Sequence, residues 1–114
     1  MKKITEIDFF CFYSNETVFK AMQRLNNKDI PFLIIVNKQK ELLGTITDGD
    51  IRRHILKGNS LNQGIGLAMN KKPIFSYERN EKAHKKKLLS SQSILKFLPV
   101  VTETKKVKYI LVFE

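Results

Sequence analysis

Residues 44–53 read Gly44-Thr45-Ile46-Thr47-Asp48-Gly49-Asp50-Ile51-Arg52-Arg53, which sets hydroxyl, carboxylate and guanidinium groups where an apolar run gives way to a helix pattern. Residues of these types at this spacing can hold a nucleotide without doing chemistry on it. A glycine near the end of an apolar strand lets a ligand approach the backbone, because no Cβ stands in the way. The Thr47 hydroxyl and the free N–H groups of the next helix's first turn can donate to phosphate, aided by the helix dipole. Asp50 only accepts, which suits the paired hydroxyls of a ribose. The competing reading is that Asp48 or Asp50 caps a helix over residues 51–57. One residue can do both.

Nothing else in the chain points to catalysis. His54 and His84 fall on helix patterns with no Ser or Cys nucleophile at a sharp turn, and they read as exposed surface histidines. Asp48 and Asp50 alone offer too few oxygens for a dedicated metal site. The single Cys11 sits in Phe9-Phe10-Cys11-Phe12, which excludes an intrachain disulfide and suggests a buried, inert thiol. The expectation is therefore no catalytic residue, no metal and no required cofactor.

Several elements must position residues 44–53. The opening segment, 4–13, is apolar enough for a short strand and a turn. Ser14 or Asn15 can cap a helix whose Val18, Met22 and Leu25 form one apolar stripe. Residues 32–36, Phe-Leu-Ile-Ile-Val, have the pattern of a strand covered on both faces. A short polar turn leads to a second strand over 42–47, so the two should pair as a hairpin. A helix from about Asp50 to Lys57 follows, stopped by Gly58, and 61–69 reads as another helical segment. Beyond Pro73 the pattern starts over, with a strand at 74–75 and a helix over 78–92. Residues 97–101 then echo 32–36 at an offset of 65 residues, and 107–112 fall on 42–47. The economical reading is a tandem pair of β-α-β-β-α units, each with a small three-stranded sheet and too little core alone. The two pack sheet against sheet in an α/β (α+β) fold.

Composition agrees with one compact domain. The chain has 114 residues, 42% of them apolar, enough for one real core. The net charge of +10 is lopsided, because residues 71–114 hold eleven Lys/Arg against four Asp/Glu. The run Lys85-Lys86-Lys87 points around a helix rather than along one face, and no aromatic residue interleaves with it. It reads as a solvated helix surface, ahead of a patch for an acidic partner or a nucleic acid. No apolar stretch approaches membrane-spanning length, and no signal peptide precedes the first strand, so a cytoplasmic location is expected.

The tandem repeat, the strand at 32–36 and the hairpin ending in GTITDGD together resemble a CBS-domain pair, or Bateman module. The resemblance spans essentially the whole chain, with repeat 1 over about 1–66 and repeat 2 over about 67–114. "LLGTITDGDIRRHILKG" followed by "AMNKKPI" is similar to the CBS pairs attached to bacterial sugar-phosphate nucleotidyltransferases or sugar-phosphate isomerases. Because Met1 stands directly before the module, the nucleotidyltransferase setting fits better.

Such a resemblance implies a non-catalytic regulatory module that binds an adenosine-type nucleotide, AMP, ADP or ATP, and forms a homodimer through CBS–CBS contacts. It also implies the site residues. Thr47 lies near the phosphate, Asp50 lies on the ribose, and Arg53 is in reach of a phosphate. The base lies against Ile30-Pro31-Phe32 and near Tyr13-Ser14, with Ile46 of the strand end beside them.

Repeat 2 departs from the pattern. Tyr109 stands where Gly44 would be and Val112 where Thr47 would be, and the sequence ends before any counterpart of Asp50. At most one nucleotide site per chain is therefore expected, on repeat 1. The missing last helix suggests that the repeat is completed by residues outside this sequence, and that the strand at 107–113 is left open to another chain. The alternatives are a ligand-free dimerisation module, and a nucleic-acid or acidic-partner binder acting through the basic second half.

Overall fold

The computed structural model describes residues 1–28, 30–90 and 96–113. In chain order the elements are β1 (Lys2–Ile4), β2 (Cys11–Tyr13), α1 (Val18–Lys28), β3 (Phe32–Val36), β4 (Leu42–Thr47) and α2 (Asp48–Leu56). The second half supplies β5 (Ser76–Tyr77), α3 (His84–Leu89), β6 (Phe97–Val101) and β7 (Val107–Val112). Among the described residues no helix is long and apolar enough to cross a membrane.

The internal repeat holds at the level of single residue pairs. In the first hairpin Phe32 pairs with Thr47 and Ile35 with Gly44, and the register slips between Ile35 and Val36. In the second, Phe97 pairs with Val112 and Val100 with Tyr109, with the same slip between Val100 and Val101. Even the turns match, since Lys40 and Lys105 both take positive φ, 66° and 65°. Equivalent positions also meet each other, as two-fold related units do at their axis. Glu41 bridges Lys106, Leu42 N donates to Lys105 O at 2.9 Å, and Val107 N donates to Lys40 O at 3.1 Å.

The strand count per sheet differs from expectation. One sheet is β2-β3-β4, but the other has four strands in the order β1-β7-β6-β5. The N-terminal strand leaves its own repeat and lies antiparallel along β7, with Ile4 opposite Ile110. It thus covers the edge of β7 that the sequence left open, satisfying backbone groups that would otherwise invite another chain.

Three other elements also shift. The cap of α1 is Thr17, whose Oγ1 accepts from Lys20 N at 3.2 Å, and not Ser14 or Asn15. Ser14 is drawn into the sheet instead, donating its N–H to Val36 O at 3.1 Å. Residues 61–69 give only a single 3-10 turn, Ile65–Leu67. Their carbonyls serve α1: Leu61 O and Gln63 O accept from Phe19 N and Val18 N, two of the donors a helix start leaves open. The second helix is broken at Asn80 (φ −99°, ψ 44°) into 3-10 turns over Glu78–Ala83 and the short α3. Its expected last residues, 91 and 92, lie outside the described residues. The strand expected at 74–75 pairs instead at Ser76 and Tyr77, opposite Val100 and Val101.

Alternation along β3 divides the core. Leu33, Ile35 and Ile46 face α1 and pack with Val18, Ala21 and Leu25. Phe32, Ile34 and Val36 face the other sheet and meet Val101, Val107 and Ile110. Cys11 is buried in this layer, and burial pushes its thiol up to about 11, outweighing the lowering effect of nearby Lys40. At the centre the Phe32 and Phe97 rings stack with centroids 4.0 Å apart and an interplanar angle of 1°, and Phe10 stacks behind Phe32 at 5.1 Å.

Phe32 is 1% exposed and belongs to both halves at once. Phe32→Ala is expected to lower the unfolding free energy by about 3–5 kcal/mol. Urea denaturation followed by circular dichroism checks this, and a loss below 1 kcal/mol would mean that the sheets do not depend on this contact.

Candidate functional site

The strand β4 ends and α2 begins within one residue, and local bonding fixes that switch. Thr47 is the cap of α2, with extended backbone (φ −129°, ψ 172°), so neither Asp48 nor Asp50 takes that position. Asp48 is the first helical residue and Asp50 the third. A reciprocal capping box results: Asp50 N donates to Thr47 Oγ1 at 3.4 Å, while Asp50 Oδ2 accepts from Thr47 N at 2.9 Å and from Thr47 Oγ1 at 3.1 Å. Arg53 Nη2 donates to the other oxygen, Oδ1, at 2.8 Å. The Asp50 side chain is 14% exposed and that of Arg53 60%, so the ion pair sits at the mouth of a site and not inside it. At its far end α2 stops at Gly58 (φ +83°), where Gly58 N and Asn59 N close back on Ile55 O and His54 O.

Beside this helix lies a cleft of about 370 Å³, lined by Asp50, Arg53, His54, Lys57 and residues 67–70. The four helix residues fall at i, i+3, i+4 and i+7, which puts them on one face. That spacing was legible in the sequence for His54 and Lys57, although neither was picked out. His54 is not an exposed histidine: it is 2% exposed, and its Nε2 donates to Ser60 O at 2.8 Å. Its Nδ1, buried too, has no hydrogen-bond partner among the described residues.

Gly44 has a different use from the one expected. A Cβ there would lie 2.5 Å from the Asn70 carbonyl oxygen and 3.1 Å from Met69 Sδ. The close approach is by the chain itself, because Thr45 and Asn70 exchange backbone bonds of 3.1 and 2.8 Å beside it. The glycine thus lets residues 69–70 form a wall of the cleft.

The other expected residues separate into two groups. Strand pairing sets Phe32 against Thr47 and Leu33 against Ile46, so Ile30, Pro31, Phe32 and Ile46 do lie at the α2 end. Ile30, Phe32 and Ile46 are buried in the cores, backbone included, and Ile30 N donates to Leu25 O at 3.2 Å, while Pro31 is exposed. Tyr13 and Ser14 are not brought there. Tyr13 pairs with Val36, four residues along β3, or about 13 Å away. Because β2 runs parallel to β3, the residues it places near Phe32 are Phe9 and Phe10, and Phe10 O accepts from Ile34 N at 2.7 Å.

The matching corner of the second half is closed. Tyr109 OH meets His84 Nε2 at 3.3 Å, and His84 Nδ1 meets Ser76 Oγ at 2.9 Å. His84 is 3% exposed, which overturns the expectation of a surface histidine. Its hydrogen bonds explain how a histidine is tolerated inside. Burial holds its pKa below the usual 6.5, helped by Lys87 and opposed by Glu81, and burial also raises that of Tyr109.

Comparison with known proteins follows this geometry. Residues 2–57 match the CBS domain family. The chain is 30% identical over 104 residues to homoserine O-acetyltransferase of Methanococcus vannielii, a match covering 90% of this chain but only 21% of that protein. The CBS domain pair of protein MJ0100, in complex with 5′-methylthioadenosine and S-adenosyl-L-methionine, superposes with a TM-score of 0.68. It is 24% identical, and the match covers 90% of this chain and 80% of that one. CbpB in complex with c-di-AMP gives a TM-score of 0.75 at 21% identity, covering 90% and 69%. The first half is a CBS domain, and the whole chain has the fold of a CBS-domain pair. As in that fold, two small sheets with helices on their outer faces pack against each other.

Two outcomes test the wiring of this CBS pair. Gly44→Ala forces apart two backbones that now touch, so it should lower the melting temperature by several degrees, about 1–3 kcal/mol. Differential scanning calorimetry reads this, and an unchanged midpoint would show that the 69–70 wall is not fixed there. For His84 the sign follows from its depressed pKa. Above about pH 6.5 both folded and unfolded chains hold it neutral and it carries no penalty, whereas below that pH the unfolded chain binds a proton that the folded chain resists. Stability should therefore fall from pH 7 toward pH 5, and less steeply in His84→Gln. Equal slopes in the two proteins would remove His84 as the cause.

Proposed function

We propose that this CBS pair is a regulatory module that binds one adenosine-type nucleotide per chain, at the start of α2. The observation that carries the reading is the cluster Thr47–Asp50–Arg53 at the mouth of the α2 cleft, opposite a second corner that Tyr109 closes. The free N–H groups of the first helical turn and the Arg53 guanidinium suit a phosphate. Asp50 suits a ribose, and base and sugar would rest against the exposed Pro31. Binding exchanges one ion pair for two contacts: Arg53 swings from Asp50 to the phosphate, and the freed Oδ1 accepts from ribose hydroxyls. The adenosine-containing ligands of MJ0100 and CbpB support the choice of ligand class.

The output goes to an enzyme, attached or separate, through a change in how the two halves sit against each other. A sugar-nucleotide enzyme rests on sequence resemblance alone. The division into repeats near residue 66, a cytoplasmic location and a homodimer belong to the same reading. A second reading, ligand-free dimerisation, is favoured by the apolar side chains standing out around α2, with Leu56 77% and Leu67 64% exposed.

Calorimetric and thermal-shift titrations with AMP, ADP, ATP, S-adenosylmethionine and c-di-AMP separate the two. A ligand present at 100 times its dissociation constant adds about 2.7 kcal/mol of stability. Arg53→Ala should weaken a phosphate-bearing ligand on the order of 10- to 100-fold while leaving the capping box in place. Asp50→Asn should weaken any ribose-bearing ligand by a similar factor. No shift with any of the five ligands would favour the dimerisation module.

A further inference from the structure

A second cleft, of about 310 Å³, opens near the meeting hairpin turns, at the far end of β4 from Thr47. Leu43, Pro73 and Phe75 give it apolar walls, and Lys71, Lys72 and Lys105 bring three cations to it. Among the described residues no carboxylate lines it, and none of the three lysines forms an ion pair. The Lys105 ammonium lies over the Phe75 ring, 5.0 Å from its centre.

The first half supplies an internal control. Lys40, the equivalent of Lys105 with the same positive φ, also lies over an aromatic ring, that of Tyr13, at 5.2 Å. There, however, its Nζ is paired with Asp8 at 3.3 Å. In the second half no carboxylate plays the part of Asp8 toward Lys105 among the described residues, and Lys71 and Lys72 line the cleft beside it instead. One corner thus closes its lysine with a carboxylate, and the other gathers two further lysines around its own. Lys72 is also steered locally, its N–H donating to Asn70 Oδ1 at 3.0 Å.

Three like charges on one small cleft, with no counter-charge from the described residues, favour an anion from outside. Three ammonium groups on flexible stems act as separate point charges and can surround the oxygens of a phosphate, whereas a flat carboxylate is better matched by a guanidinium fork. The apolar walls give the rest of such a molecule a place to lie. We propose that this cleft binds a small phosphate monoester with an apolar substituent, at a site separate from α2.

The test is a titration of the full chain by ¹H–¹⁵N NMR with three probes: phenyl phosphate, inorganic phosphate and benzoate. Phenyl phosphate should move resonances of residues 42–43, 71–75 and 105, and bind at least tenfold more tightly than the other two. Lys72→Asp gives this corner the carboxylate that the first half already has. It should weaken phenyl phosphate more than tenfold without lowering the melting temperature, and Lys105→Gln should weaken it without adding a carboxylate. Arg53→Ala should leave the affinity unchanged, which separates this site from the α2 site whatever binds there. Shifts spread evenly over the basic surface, equal affinity for the three probes, or wild-type binding by Lys72→Asp and Lys105→Gln would each overturn the proposal. Tighter binding of benzoate than of phenyl phosphate would also overturn it.

Discussion

Everything in this molecule depends on the apolar layer between its two sheets. Either sheet alone, three or four short strands with one helical face, would leave a full face of Ile, Val and Phe in water. The layer removes both faces together, and at about 25 cal/mol per Å² such burial is the largest favourable term available to so small a chain. Its geometry is set where equivalent residues meet. The parallel Phe32 and Phe97 rings mark one such place, and the reciprocal bonds around Glu41 and Lys106 mark the other. With the axis pinned at two places, neither hairpin can slide without unstacking rings or breaking backbone bonds. The ends of β4 and β7 are therefore held in place before any side chain there has a function.

That fixed frame explains how two nearly identical hairpins come to differ in what they offer. In the first, Gly44 admits residues 69–70 against the strand, and Thr47 turns the chain into α2 through a capping box. In the second, β1 lies along the same edge of β7, and Tyr109 stands at the register of Gly44. Its hydroxyl instead reaches His84, which Ser76 holds from the other side. The internal polar chain makes sense of a buried histidine whose charged form is disfavoured, since both ring nitrogens find partners only in a closed corner. One corner kept its polar groups at the surface and the other drew them inside.

Much of this was legible from residue types and spacing. The hairpins at 32–47 and 97–112 announced themselves by apolar runs around polar turns, and the offset of 65 survives down to the bulge and the positive φ of the turn lysines. The strand–helix switch at Thr47 was legible because a hydroxyl followed three residues later by a carboxylate has few other uses at that point. What escaped depended on contacts between distant segments. Lys2–Ile4 looks like any short basic strand, and only the open edge of β7 gives it a place. The stretch 61–69 has an apolar helix-like pattern, but α1 needs its carbonyls more than it needs its own helix. Gly44 was read as a place where a ligand approaches the backbone, and composition cannot say that Asn70 of the same chain makes the approach instead. Tyr13 fails as a neighbour of Thr47 because β2 and β3 are parallel, a fact fixed by topology and not by either strand's residues. His54 and His84 were misjudged for a related reason, since their partners lie 6 and 8 residues away on other elements.

The bonding at α2 bears on whether a cap can also be a binding site. Thr47 and Asp50 hold each other through Oδ2, and this bond defines the helix start, so a ligand that had to break it would oppose the fold itself. Among the described residues the other oxygen, Oδ1, is engaged only by Arg53, whose side chain is mostly in solvent. An ion pair of that kind contributes about 0–1 kcal/mol, while a hydrogen bond to a charged group contributes about 1.5–3 kcal/mol. Replacing the single Arg53 contact by a phosphate on Arg53 and a hydroxyl on Asp50 is therefore favourable on balance, and it leaves the cap untouched. The two oxygens of one carboxylate divide the labour, with Oδ2 committed to structure and Oδ1 kept available.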